Sequence, residues 1–115
     1  MPAPRPGDMI DVVQFERLDW VDDGFGKVES FAAFGAAQRA RKIDASTREQ
    51  WRASEVGASI TARFQVYRNE ITREITAKDR ITCGGLSYNI SGVIVMADDR
   101  RFLEITAAAR SEGTG

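Results

Sequence analysis

Along most of the chain apolar and polar residues alternate with a period of two, the mark of strands with one buried and one wet face. Residues 59–68 show it most cleanly. Ile60, Ala62, Phe64 and Val66 share one face, and Thr61, Arg63, Gln65 and Tyr67 share the other. Two further alternating runs, 80–83 and 86–90, flank Gly84-Gly85, which predicts a hairpin with a two-residue turn. Val93 to Met96 continue the sheet past a bend at Gly92, and Asp98-Asp99-Arg100 turn the chain into a last strand. In that strand Phe102 and Glu104 share one face and Leu103 and Ile105 the other. Residues 9–18 also alternate, with a slip of phase at Val12-Val13 that predicts a β-bulge. The cluster Asp22-Asp23-Gly24-Phe25-Gly26 predicts a turn. Residues 27–43 carry Val28, Phe31 and Phe34 at spacings that fit a helix or a strand; Gly35 and the preceding turn favour strand.

About six short strands of this kind predict a mainly all-β fold, a small antiparallel barrel or sandwich. The pattern breaks in three places. All three prolines fall in the first six residues, so 1–8 is expected to be a flexible arm ahead of one domain at 9–107. Small and polar residues at 108–115 predict a flexible tail. A polar excursion runs from about 44 to 58. There Ser46-Thr47-Arg48-Glu49 has the form of a capping box, so the segment is either a short helix to about Glu55 or a long ordered loop.

Composition narrows the class. With 115 residues, 43% hydrophobic and 29% charged, the chain fits one globular domain with a single modest core. The net charge of -1 gives no bulk signal for nucleic acid. The absence of His removes the commonest general base and zinc ligand. One cysteine, Cys83, excludes an intrachain disulfide and has no His to activate it. No apolar run approaches the ~18 residues of a membrane helix, and the opening MPAPRPGD lacks a signal peptide's apolar stretch. The expectation is a non-secreted protein that is not an enzyme, uses no cofactor or metal and does not enter a membrane.

Gly24-Phe25-Gly26-Lys27 lacks the spacer and the Ser or Thr of a phosphate loop, so it is expected to be a loop tip. Asp22-Asp23 and Asp98-Asp99 lack the alternate spacing of calcium ligands and are expected in turns. Charge is nonetheless segregated. Arg39, Arg41, Lys42, Arg48 and Arg52 face only Asp44 and Glu49 within 39–52, whereas 8–30 holds seven acidic residues and two basic ones. These are either ordinary solvated faces, surfaces for different partners or for neighbouring subunits of a ring, or, for the basic stretch, a face toward DNA. Trp51, in the polar excursion, either docks on the core or anchors a partner. Trp20 is expected to cover the barrel end.

The order of features resembles one family. An early strand leads to Asp23-Gly24-Phe25-Gly26 and the run Val28-Glu29-Ser30-Phe31, then to Arg39-Ala40-Arg41, the polar excursion and the alternating strand at 60–68. The most specific part is 79–105, where Asp79, Arg80, Gly85, Tyr88, Asn89, Ile90, Arg101, Phe102, Leu103 and Glu104 fit the pattern. The chain, over about 9–107, resembles the head-tail joining proteins of tailed bacteriophages and gene transfer agents, also called head-closure, stopper or head-tail adaptor proteins. It departs where the family often has a Trp, in the strand after the Asp-Gly turn; here Phe34-Gly35-Ala36 occupy the region.

The resemblance implies a small β-barrel or sandwich that forms a ring in the virion neck, joins the DNA-filled head to the tail and helps to retain the DNA. It implies partners: further copies of the chain (with a monomer as one possible solution state), a portal-proximal adaptor or connector, a tail terminator or tail-tube protein, and the genomic DNA in the channel. The loop at about 44–58 would face that channel, with Arg48, Trp51 and Arg52 as candidate channel residues. Asp22 and Asp23 would pair with Arg39, Arg41 and Lys42 between subunits. Two alternatives remain: a tail terminator or completion protein, and a small barrel that binds single-stranded nucleic acid.

Overall fold

The computed structural model describes residues 3–44 and 59–110. Within them lie seven strands: β1 (Asp11–Asp22), β2 (Lys27–Ala33), β3 (Gln38–Asp44), β4 (Ser59–Tyr67), β5 (Arg80–Cys83), β6 (Leu86–Val95) and β7 (Phe102–Arg110). All pair antiparallel in one sheet. The order runs β1-β3-β4-β7-β6-β5, and β5 pairs back onto β1. Six strands therefore close into a barrel, which removes the exposed edges an open sheet would carry. The fold is all-β and antiparallel as expected, and of the two expected forms, barrel or sandwich, it is the barrel.

Side-chain alternation decides what fills it. Val13 and Phe15 from β1, Ala40 from β3, Ala62, Phe64 and Val66 from β4, and Leu103, Ile105 and Ala107 from β7 all point inward and are buried. Tyr88 meets Phe64 edge to face at 5.1 Å between ring centroids, a favoured aromatic geometry. Gly84 and Gly85 both have positive φ, +58° and +82°. This is the left-handed pair that a two-residue β-hairpin turn requires, and Cys83 pairs with Leu86 across it as expected.

Three local expectations are corrected. Pairing across Val12-Val13 is continuous, from Asp11↔Ala40 to Val13↔Gln38. There is no bulge there; the apolar phase slips because Val12 points out of the barrel and is 56% exposed. The register shift falls instead between Ile90 and Gly92 on β6. Residues 27–43 form two strands rather than one, because Gly35 turns the chain at φ +74°. A Cβ at Gly35 would stand 2.7 Å from Cγ2 of Ile71, so the turn is also held by close approach. Finally, Trp20 does not cover the barrel end. It lies on a ribbon that leaves the barrel.

That ribbon is the continuation of β1. Glu16 pairs with Arg80 of β5 on one side and with Ala33 of β2 on the other. From there β1 and β2 pair only with each other, seven residue pairs from Glu16↔Ala33 to Asp22↔Lys27. At about 3.4 Å per residue the two-stranded arm reaches roughly 20 Å from the barrel. Outside the barrel, Phe102 is covered by Met9 and Met96, with Ala3 packed against them, and the Ala3 amide donates to Asp98 Oδ2 at 2.9 Å.

Candidate functional site

The arm is clamped at its base. Arg17 donates from Nε to Asp79 Oδ1 at 3.1 Å and from its guanidinium to Asp79 Oδ2 at 3.2 Å and the Glu74 carbonyl at 2.9 Å. Asp79 is buried, and it also accepts from the Thr76 amide at 2.9 Å. A fork-to-carboxylate pair of this kind fixes direction as well as distance. The hydrogen bond to Asp79 holds the Arg17 guanidinium above its ordinary pKa, against the opposing effect of burial. Arg17 also stacks over Phe34 at 3.8 Å, and Arg80 over Phe31 at 3.7 Å. The Phe34 amide donates to the Phe15 carbonyl at 2.8 Å. The arm is thus a cantilever with a rigid root.

Beyond that root it is apolar and exposed. Val21 and Val28 pair on one face of the ribbon; Trp20, opposite Glu29, lies on the other. Phe25 at the tip is 99% exposed and Trp20 55%. Asp22 and Asp23 shape the tip. The Gly24 amide donates to Asp22 at 2.9 Å and the Phe25 amide to Asp23 at 2.8 Å. No Lys or Arg among the described residues comes within ion-pair distance of either carboxylate.

A second surface lies on the barrel wall. Val12 and Arg39 are register partners that point outward, and the next step of the β3–β4 register brings Tyr67 alongside. Ile10 and Val12 are 76% and 56% exposed, and Tyr67 is also exposed. Arg39 and Arg63 are exposed among them, and Arg41 is half-buried. Among the described residues, four of the nine large exposed hydrophobics lie on the arm and three on this wall. Both therefore stand out from the scattered apolar residues of an ordinary surface.

The predicted site residues divide accordingly. Asp22 and Asp23 sit at the arm tip, and Arg39 and Arg41 on the wall. Lys42 points inward on β3, where Nζ meets Asp44 at 3.2 Å and lies over the Tyr88 ring at 5.5 Å. Burial works against its charge, but Tyr88 and Asp44 outweigh it and the ammonium is held above its usual pKa. Arg48, Trp51 and Arg52 lie outside the described residues. Cys83 is buried, and burial raises its thiol pKa, which keeps it in the unreactive thiol form. A half-open cleft of about 430 Å³ between Arg68, Arg73, Ile75 and Val95 holds no nucleophile beside a base.

Reasoning from sequence found the turn and the charge segregation but missed the arm. A signal was present: Trp20-Val21 places large apolar residues on both faces of a strand, which a half-buried barrel strand does not need. The Asp79 clamp had no local signal, because its partner is 62 residues away.

The family model for the phage head completion protein matches residues 4–110. The chain belongs to that family. Membership makes it a structural virion protein with a head-tail structural role. No curated protein sequence is similar enough to count as a match. Solved structures that share the fold include the following two. The solution structure of protein SF1141 from Shigella flexneri 2a is 24% identical, with 95% of this chain and 99% of that one covered and a TM-score of 0.66. A chain from the virion of a native gene transfer agent particle is 17% identical, with 86% and 92% covered and a TM-score of 0.62. No helix among the described residues is long and apolar enough to cross a membrane.

Proposed function

We propose that copies of this protein form a ring in the neck of a phage or phage-like particle, joining the DNA-filled head to the tail and helping to retain the genome. The family match over residues 4–110 carries this reading. The geometry supports it: a closed barrel gives a rigid wedge, and a clamped arm with an exposed apolar tip gives each copy something to grip with. The work is mechanical and electrostatic. A ring needs one interface repeated around an axis, and a channel needs cations that meet phosphate without reading sequence. In this proposal the segment 44–58 lines the channel, with Arg48 and Arg52 toward the DNA and Trp51 anchoring the segment. The portal-side connector and the tail-side terminator or tube are the neighbours above and below.

The test is electron microscopy of particles from a strain lacking the gene. DNA-leaking or empty heads beside free, complete tails are the expected result. Full heads with abnormal or overlong tails would move the protein to tail termination. Normal particles would overturn the neck assignment and favour the single-stranded nucleic-acid reading.

A further inference from the structure

Among the described residues, seven of the nine large exposed apolar side chains fall into two groups of opposite charge. The arm carries Trp20, Val21, Phe25 and Val28, and beside them Asp19, Asp22, Asp23 and Glu29 against a lone Lys27. The wall carries Ile10, Val12 and Tyr67 with Arg39, Arg41 and Arg63. Each surface combines exposed apolar side chains with charged neighbours, and the two sets of charges are complementary. The two cannot meet within one molecule. The arm leaves the barrel as the continuation of the strand that bears Val12, and the Arg17–Asp79 clamp and the Arg80–Phe31 stack hold its root.

We propose that the β1–β2 arm of one copy docks on the β1–β3–β4 wall of the next copy, with Phe25 and Trp20 packed on Ile10, Val12 and Tyr67, and Asp22 and Asp23 paired with Arg39 and Arg41. The arm and the wall are different patches, so the contact is heterologous: each copy gives an arm and receives one. Repetition of such a contact closes a ring when its rotation divides a full turn, and otherwise builds a helix. The inference rests on the ring reading above and names its interface. It also explains why the chain is nearly neutral overall while its charge is segregated. Like-charged ends repel, so arm-to-arm and wall-to-wall encounters are disfavoured.

The test is charge reversal with rescue, read in assembled particles. D22R/D23R and, separately, R39D/R41D are each expected to abolish complete particles. Combining both pairs in one chain restores the complementarity in reverse and should restore particle assembly. A second measurement covers the case in which a variant fails to fold. With Cys83 changed to Ser, Phe25→Cys and Val12→Cys in the same chain should give a ladder of disulfide-linked dimers, trimers and larger species from oxidised particles. Phe25→Cys alone should stop at dimer or monomer. No rescue together with no ladder, while the deletion strain still shows a neck defect, would overturn the interface and leave the ring reading standing. A tip cysteine that crosslinks instead to another virion protein would assign the arm to that partner and overturn the proposal in the same way. A deletion strain with normal particles would remove both.

Discussion

Phe15 and Trp20 sit five residues apart on one continuous strand. Phe15 is fully buried, while Trp20 is more than half exposed. The first half of β1 has barrel neighbours on both sides, β3 over 11–13 and β5 over 14–16, and its inward side chains meet those of β4, β6 and β7. The second half has one neighbour, β2, and no layer behind it. A two-stranded ribbon alone is marginal in water. This one is held by its root rather than by a core. The difference teaches where the chain's free energy is spent: the barrel buries its apolar groups, and the arm keeps them available.

The largest expected effect breaks the barrel side of that contrast. Phe64 is fully buried against Tyr88, so Phe64→Ala should cost about 3–5 kcal/mol through lost packing and a residual cavity. Chemical denaturation of the isolated protein would show it. An equally large loss from Trp20→Ala would contradict the account of the arm, whose exposed residues should change stability by less than about 0.5 kcal/mol.

A smaller effect is expected at the root. Asp79→Asn removes the charge that fixes Arg17, and should cost about 2–3 kcal/mol, below the full value of a buried pair because the Arg17 side chain is partly open to water. The more telling readout is local. Amide exchange in 16–33 should speed up more than in the β4–β7 pairing. Uniform loss of protection would mean that the clamp serves the barrel and not the arm.

The smallest effect compares two acidic turns. Asp99 has a cation of its own: Arg101 bonds it at 2.7 Å and holds its carboxyl down to about 2. Because the folded value lies below the unfolded one, this pair's contribution is present above about pH 4 and is lost as pH falls toward about 2. Arg101→Ala should raise the Asp99 pKa in an NMR titration, though not fully to the free value, because the amide of residue 101 still donates to the carboxylate at 3.1 Å. Both groups face water, so little change in stability should accompany it. Among the described residues, Asp22 and Asp23 have only backbone donors. If Arg101→Ala left Asp99 unmoved, the contrast between a neutralised turn and a waiting one would fail.

Much of the fold was legible because a barrel strand alternates and a two-residue turn needs positive φ. Residues 59–68, the Gly84-Gly85 hairpin and the alternation of Phe102 to Ile105 all follow from such local rules. Phe102 shows their limit. Its outward position is set by the alternation, but it is buried because Met9 and Met96 reach it from elsewhere in the chain. Of the candidate site, the acidic turn and the basic stretch were legible from charge alone. Their geometry was not. Lys42 belongs to the same basic stretch as Arg39 and Arg41, yet strand parity turns it inward onto Tyr88 and Asp44.

By itself the sequence determined the period of each strand, the positions of the turns and the separation of acidic from basic segments, because these depend on neighbours a few residues apart. Only the tertiary structure decided that β5 returns to β1 and closes the barrel, that Glu16 is where the barrel ends and the arm begins, and that Val12, Arg39 and Tyr67 form one wall. Those outcomes rest on pairings such as Glu16↔Ala33, Val12↔Arg39 and Gln14↔Thr82, between residues 17 to 68 positions apart. Such pairings arise when strands compete for the same edge, and the closed barrel wins because it leaves fewest backbone groups unpaired.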